Sequence, residues 1–255
     1  LLGEDENVHK MFPTTTVLAP RAWQPRFIEG LAFYAQNRPN KALQSFRDAQ
    51  KRAPYVGDVS AYLGRTLEDL ERPFEALNSY ETTLRVNPSF FWARLAKAKT
   101  LYQVGRYADA RNEFQKCLRK KPSSVEILRQ GAIAGFRAWN PDQENAKELL
   151  EGLLEELDLA LETDPSHTPS REIRALALEK SGRAKEALQD LDRLLEKDPK
   201  NKTWRTRRVR NLLRLQAWNR ALEDLSILED FRMRVQVLSM SGQFQEALHE
   251  VIELQ

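Results

Sequence analysis

The chain is short of cysteine, histidine and glycine, and each shortage removes a class of function. The single cysteine, Cys117, excludes an intramolecular disulfide framework and any zinc site built on clustered cysteines. The three histidines, His9, His167 and His249, are scattered and form no local His-x-x-x-His pair. Glycine numbers only 10, and neither G-x-x-x-x-G-K-[ST] nor G-x-G-x-x-G occurs, so both common phosphate-cradling loops are missing. No apolar run approaches the roughly 18 residues that would span a bilayer. No signal-peptide pattern opens the chain, which begins at Leu1. The expectation is a cytoplasmic location, with the start read as a trimmed or processed terminus that has lost any targeting segment. Net charge is also small: Lys plus Arg is 40 and Asp plus Glu is 37, a formal excess of +3 that does not by itself imply a nucleic-acid partner.

What is present is a chain of 255 residues, 41% hydrophobic and 30% charged, too apolar for a disordered tail. Catalytic constellations are absent. Carboxylate pairs such as Glu155/Glu156 have surface spacing. Cys117 falls at a small core position, and His167 lies in a loop with no evident partner. The chain is therefore expected not to be an enzyme and to carry no cofactor and no metal.

The prolines disclose an internal repeat. Pro54, Pro88, Pro122, Pro165 and Pro199 follow one another at near-constant intervals, with only the step from Pro122 to Pro165 longer than the rest. Before each of four of them the same pattern recurs. Gly30, Gly64, Ala98 and Ala175 are small residues that let two helices approach. Ala42, Ala76, Ala110 and Ala187 do the same from a second helix. Phe46, Tyr80, Phe114 and Leu191, at i+4 from those alanines, fill the gap. Gly105, Gly182 and Gly242 stand where the first helix must turn back, a place suited to positive φ. Each proline ends its unit because a helix cannot run through it. The apolar spacing inside each segment is i, i+3, i+4, i+7, which is helical.

This pattern resembles the tetratricopeptide repeat family over nearly the whole chain, from about Trp23 to Gln255. The resemblance implies an all-α fold: a right-handed superhelical solenoid of about seven antiparallel helix pairs, whose first helices line a concave groove. Repeats are assigned at 23–56, 57–90, 91–124, 125–167, 168–201, 202–227 and 228–255, after an extended N-terminal arm at 1–22. The arm is expected to pack along the first helix, with occupation of a groove as the sharper alternative. The fourth repeat is extended, as the long step to Pro165 requires. It carries Asn140-Pro141-Asp142, and its second helix is expected from about Gln143 to Glu162. The sixth is short and turns into the seventh near Asp230. The seventh ends on Val251, Ile252 and Leu254, an apolar end that predicts further chain in a longer protein.

Family register places Phe27 and Tyr34 of the first repeat, Arg65 of the second, and Trp92, Lys99 and Tyr102 of the third on the groove. Gln24, Leu31, Asp58, Ala61, Glu68, Asp69 and Leu95 complete that surface. Co-chaperone members of the family grip a C-terminal carboxylate with Lys, Asn and Arg side chains. The matching positions here hold Phe27, Leu31, Tyr62, Trp92 and Ala96, so that clamp is excluded. Charge is unevenly distributed. Lys202, Arg205, Arg207, Arg208, Arg210, Arg214 and Arg220 form a basic stretch without an acid, with Arg210 and Arg214 facing the groove. Residues 142–164 are strongly acidic and are read as an outer helix face.

These features point to a non-catalytic scaffold that binds a segment of a partner protein, including an acidic one. Phe27, Tyr34, Trp92 and Tyr102 would anchor it, and Arg65, Lys99, Arg210 and Arg214 would fix its charge register. Two alternatives stay open. One is RNA binding through the basic helix 202–220. The other is a homo-oligomeric scaffold that pairs acidic with basic faces. The basic stretch also has a plain reading, a helix face satisfied by neighbouring acids such as Asp190, Asp192 and Glu223.

Overall fold

The computed structural model describes residues 22–253. The arm expected at 1–22 lies outside this range except for Ala22, as does Leu254. Among the described residues there are 14 helices and no strand. The chain divides into two compact units, one ending at Pro122 and one beginning at Ser123.

The first unit contains three helix pairs: α1 (Gln24–Ala35) with α2 (Pro39–Arg52), α3 (Gly57–Asp69) with α4 (Pro73–Val86), and α5 (Phe91–Gln103) with α6 (Tyr107–Leu118). The second contains four: α7 (Val125–Ala138) with α8 (Ala146–Thr163), α9 (Thr168–Lys180) with α10 (Ala184–Lys197), α11 (Lys202–Arg214) with α12 (Trp218–Leu228), and α13 (Phe231–Met240) with α14 (Phe244–Glu253). Within each unit every second helix also packs on the first helix of the following pair.

The small residues do what their spacing predicts. A Cβ placed on Gly30 would stand 2.5 Å from the Phe46 ring, and one on Gly64 would stand 2.7 Å from the Tyr80 ring. Both rings are fully buried. Burial of each such ring contributes about 1.5–3 kcal/mol relative to exposure. That gain requires the bare backbone opposite. Ala98 and Ala175 are buried at the same register, as are Phe114 and Leu191.

The turn inside each of six pairs takes one residue in the left-handed region. Gly105, Gly182 and Gly242 have φ of 79°, 77° and 82°. Asn37, Glu71 and Gln216 hold the same turn at 58°, 57° and 55° without glycine. Proline starts α2 and α4, where its missing N–H is no loss.

Two boundaries differ from expectation. α8 begins at Ala146, not near Gln143. The Asn140 side chain accepts the Asp142 N–H at 3.1 Å, and the Gln143 N–H bonds the Asn140 carbonyl at 3.2 Å. These bonds hold 140–145 in turns before the helix begins. The basic stretch 202–220 is not one helix. α11 ends at Arg214, Gln216 turns the chain at positive φ, and Arg220 lies in α12.

Candidate functional site

The inner helices of the first unit are joined by aromatic rings. Trp23 meets Phe27 at 5.7 Å between centroids, Phe27 meets Tyr62 at 5.6 Å, Tyr62 meets Trp92 at 5.7 Å, and Trp92 meets Phe90 at 5.4 Å. Tilted and edge-on ring pairs at these distances each add about 0.5–1.5 kcal/mol beyond their burial. The rings are half-buried, with one side against Phe46 and Tyr80 beneath. They are therefore framework and surface at once.

Where this row reaches α5, a cleft of about 440 Å³ opens between α3 and α5. Trp92, Leu95 and Ala96 form one side, and Arg65, Glu68, Asp69, Lys99 and Gln103 supply polar groups. Glu68 is held in place: the Tyr80 hydroxyl donates to its Oε2 at 2.6 Å and the Thr100 hydroxyl donates to its Oε1. The Arg65 guanidinium lies over the Tyr34 ring, 5.7 Å from its centroid. Burial and the hydrogen-bonded Asp69 carboxylate push the Tyr34 phenol above its ordinary pKa. Tyr34 is thus a neutral strut between the two charges. Lys99 is exposed and has no ion-pair partner among the described residues.

Of the residues assigned from sequence, the cleft gathers Arg65, Trp92 and Lys99, with Tyr34 attached through Arg65. Phe27 stands two ring steps away in the aromatic row. Tyr102 is turned onto Tyr107, with centroids 5.2 Å apart. Arg210 and Arg214 belong to the second unit. Tyr80, read from sequence as a gap filler, lines the cleft as well.

In the second unit most of the basic stretch is already engaged. Arg205 and Arg208 both reach Asp224, at 2.5 and 2.6 Å, and Arg208 also reaches Asp192 at 2.9 Å. Arg207 pairs with Glu179 at 3.0 Å, Arg220 with Asp192 at 3.1 Å, and Arg214 donates to the Glu179 carbonyl at 3.1 Å. Arg210 is exposed and without a partner among the described residues. Of the acids named from sequence, Asp192 takes part. Asp190 instead receives Arg171 and Arg174, and Asp224 stands in the role expected of Glu223.

The arrangement recurs. Arg94 with Lys97 on Glu113, Arg171 with Arg174 on Asp190, and Arg205 with Arg208 on Asp224 share one spacing of i, i+3 and i+19. In each, the first arginine also donates to a proline carbonyl, that of Pro88, Pro165 or Pro199. This spacing is present in the sequence and would have identified these charges as framework.

Nucleophile chemistry has no footing at Cys117. The side chain is buried, and burial pushes its thiol up to about 11. His167 caps α9, its Nδ1 accepting the Ser170 N–H at 3.3 Å. No group of three or more metal-ligating side chains and no helix long and apolar enough to cross a membrane occurs among the described residues.

Two family models described as tetratricopeptide repeat match the sequence, over residues 63–125 and 173–201. No curated protein matches it. Among solved structures the fold is similar to YrrB, described as a TPR protein with an unusual peptide-binding site. That match has 16% identity and a TM-score of 0.65 over 74% of this chain and 92% of that one. It is also similar to a chain of the Naa15/Naa10 structure bound to HypK-THB, with 17% identity and a TM-score of 0.69 over 98% of this chain and 39% of that one. A tetratricopeptide repeat protein from Parabacteroides merdae ATCC 43184 matches with 15% identity and a TM-score of 0.61 over 91% of each chain. At these identities the likeness is one of fold.

Proposed function

From the premise that this chain is a tetratricopeptide-repeat protein, we propose that it is a non-catalytic protein-interaction scaffold whose first unit holds a segment of a partner protein in the cleft between α3 and α5. One observation carries this reading: a half-buried aromatic wall ends beside an exposed, unpaired lysine. An apolar side chain of the partner would lie on Trp92 and Leu95, where it removes water from both surfaces. A carboxylate next to it would meet Lys99, with Arg65 behind. Buried aromatics flanked by charges are the usual seat of interface energy. The peptide-binding site named for YrrB is in keeping with this use of the fold.

The test starts from peptides selected by display on the intact chain. The double variant Trp92→Ala, Leu95→Ala is expected to weaken their binding by about 1–2 kcal/mol or more. Helical content by circular dichroism should stay unchanged. Undiminished affinity in that variant would remove the proposed anchor. RNA binding through α11 has less to stand on, because Arg205, Arg207 and Arg208 are engaged in ion pairs. If Arg210 alone met phosphate, the salt slope of binding would be only about one.

A further inference from the structure

The two acids of the cleft between α3 and α5 are held by hydroxyl groups. Glu68 receives the Tyr80 hydroxyl on Oε2 at 2.6 Å and the Thr100 hydroxyl on Oε1. Thr100 Oγ1 also lies 3.0 Å from the Ala96 carbonyl, but its single proton favours the charged acceptor. Tyr80 and Thr100 are fully buried, so water does not compete for either hydroxyl. Burial and the hydrogen-bonded Glu68 carboxylate raise the Tyr80 phenol above its ordinary pKa, so it stays a donor. Asp69 is hydrogen-bonded to the Tyr34 hydroxyl. Lys99, next to Thr100 in α5, lines the same cleft and has no ion-pair partner among the described residues.

The second unit engages the equivalent acid with different groups. Asn211 stands at i+32 from Glu179 as Thr100 does from Glu68, and each donates to the carboxylate Oε1. At i+28 the second unit has Arg207, which pairs with Glu179 at 3.0 Å, whereas the first unit has Ala96. At i+31 stand Arg210 and Lys99, both exposed and unpaired among the described residues. Glu179 is thus satisfied by its own arginine, and Arg210 is left out. Glu68 has no such arginine, and Lys99 is a cation of its own cleft. What the first unit has in exchange is Tyr80, four residues after Ala76; the same place after Ala187 is Leu191, which has no donor.

We propose that Tyr80 and Thr100 are positioning residues of the cleft: by holding both oxygens of Glu68 they keep it from pairing with Lys99, the cation on which the reading of the cleft given above rests. The hydroxyls satisfy the carboxylate without bringing a second cation into the cleft. They also fix it against the wall, because both donors belong to buried side chains. Released from them, Glu68 is a flexible carboxylate beside an unpaired lysine, and the two form an ordinary surface ion pair. Lys99 is then occupied from within the chain.

The experiment measures the rate at which Lys99 of the intact chain is acetylated by the N-hydroxysuccinimide ester of acetic acid, read by peptide mass spectrometry against the exposed Lys185. In Tyr80→Phe with Thr100→Val, the freed Glu68 should slow acetylation of Lys99 by about twofold to fivefold. Adding Glu68→Gln to that variant should restore the parent rate, a rescue that a merely structural role of the hydroxyls would not give. If the double variant does not fold, Tyr80→Phe alone, which frees Oε2, decides by the same readout. An unchanged Lys99 rate in the folded variant, or a slowed rate that Glu68→Gln does not restore, would overturn the proposal. A second arm keeps the reading of the cleft separate. A display-selected peptide is compared with its form carrying Asn and Gln for each Asp and Glu. The parent should prefer the carboxylate form, and the double variant should lose about twofold to fivefold of that preference. A parent without preference, together with a Lys99 rate that responds as expected, would leave the hold on Glu68 standing and remove the acidic partner.

Discussion

The cleft between α3 and α5 and the basic helix α11 both present arginines, yet their charges have opposite fates. Arg65 lies over the Tyr34 ring and neighbouring Lys99 has no partner among the described residues, so the first region keeps charge available beside an aromatic wall. In α11 the sequence shows more positive charge, but Arg205, Arg207 and Arg208 are drawn onto Asp224, Glu179 and Asp192. Most of the denser charge is structural, whereas Lys99 in the sparser set stands unpaired among the described residues. Charge density along a sequence therefore misleads about binding wherever a partner acid recurs at a fixed distance in the repeat.

The largest effect that would sharpen this contrast is expected at Asp224. It is 1% exposed and receives two arginines. Asp224→Ala leaves both without their shared partner and should lower unfolding stability by about 3–5 kcal/mol, measured by urea denaturation. A loss below about 1 kcal/mol would mean that the arginines of α11 are not framework.

Next comes the aromatic side. Gly64→Ala puts a methyl group 2.7 Å from the Tyr80 ring and should cost about 1–3 kcal/mol through forced repacking. A thermal melt close to that of the parent would show that the rings of the first unit are loosely held.

A third test uses pH. Burial alone would raise the Glu113 carboxyl, but hydrogen bonds from Lys116 and Arg94 and the charge of Lys97 outweigh it and hold the group below its ordinary value. A depressed folded-state pKa contributes stability above the unfolded value of about 4.3, and that contribution is lost as pH falls through the lower folded value. Glu113→Gln should therefore cost about 1 kcal/mol near neutral pH and make the acid limb of the stability profile shallower below about pH 4. An acid limb parallel to the parent's would contradict the ion-pair account.

The smallest effect is expected at Arg210. Arg210→Glu should change stability by no more than about 0.5 kcal/mol, since no contact among the described residues depends on it. A larger loss would place Arg210 with the engaged arginines.

The repeat itself was legible because its signals are steric and local. Proline stops a helix, and a small residue opposite a ring records a close approach. Gly105, Gly182 and Gly242 marked three turns for the same reason. Glu71 and Gln216 gave no such sign, because neither residue type favours that conformation; Asn37 does, but asparagine is too common outside such turns to mark one. His167 was missed as a helix cap because Ser, Thr, Asp and Asn usually fill that place. The start of α8 was misplaced because the turns over 140–145 use side-chain bonds that no periodicity records. At the candidate site, sequence register found Arg65, Trp92 and Lys99 but also selected Arg210 and Arg214. Those two lie on α11 of the second unit, where Arg214 is held by the Glu179 carbonyl of the preceding helix pair, a contact outside the reach of any local window, while Arg210 stands exposed.

The account turns on which charges are free to bind, and one measurement addresses that directly. Peptides selected by display on the intact chain are titrated calorimetrically against the parent, against Lys99→Glu, and against Arg210→Glu with Arg214→Glu. The dissociation constant should rise about tenfold or more for Lys99→Glu and stay within about twofold for the α11 pair. Loss of affinity in the α11 variant with none at Lys99→Glu would contradict the account and move the docking surface to the second unit.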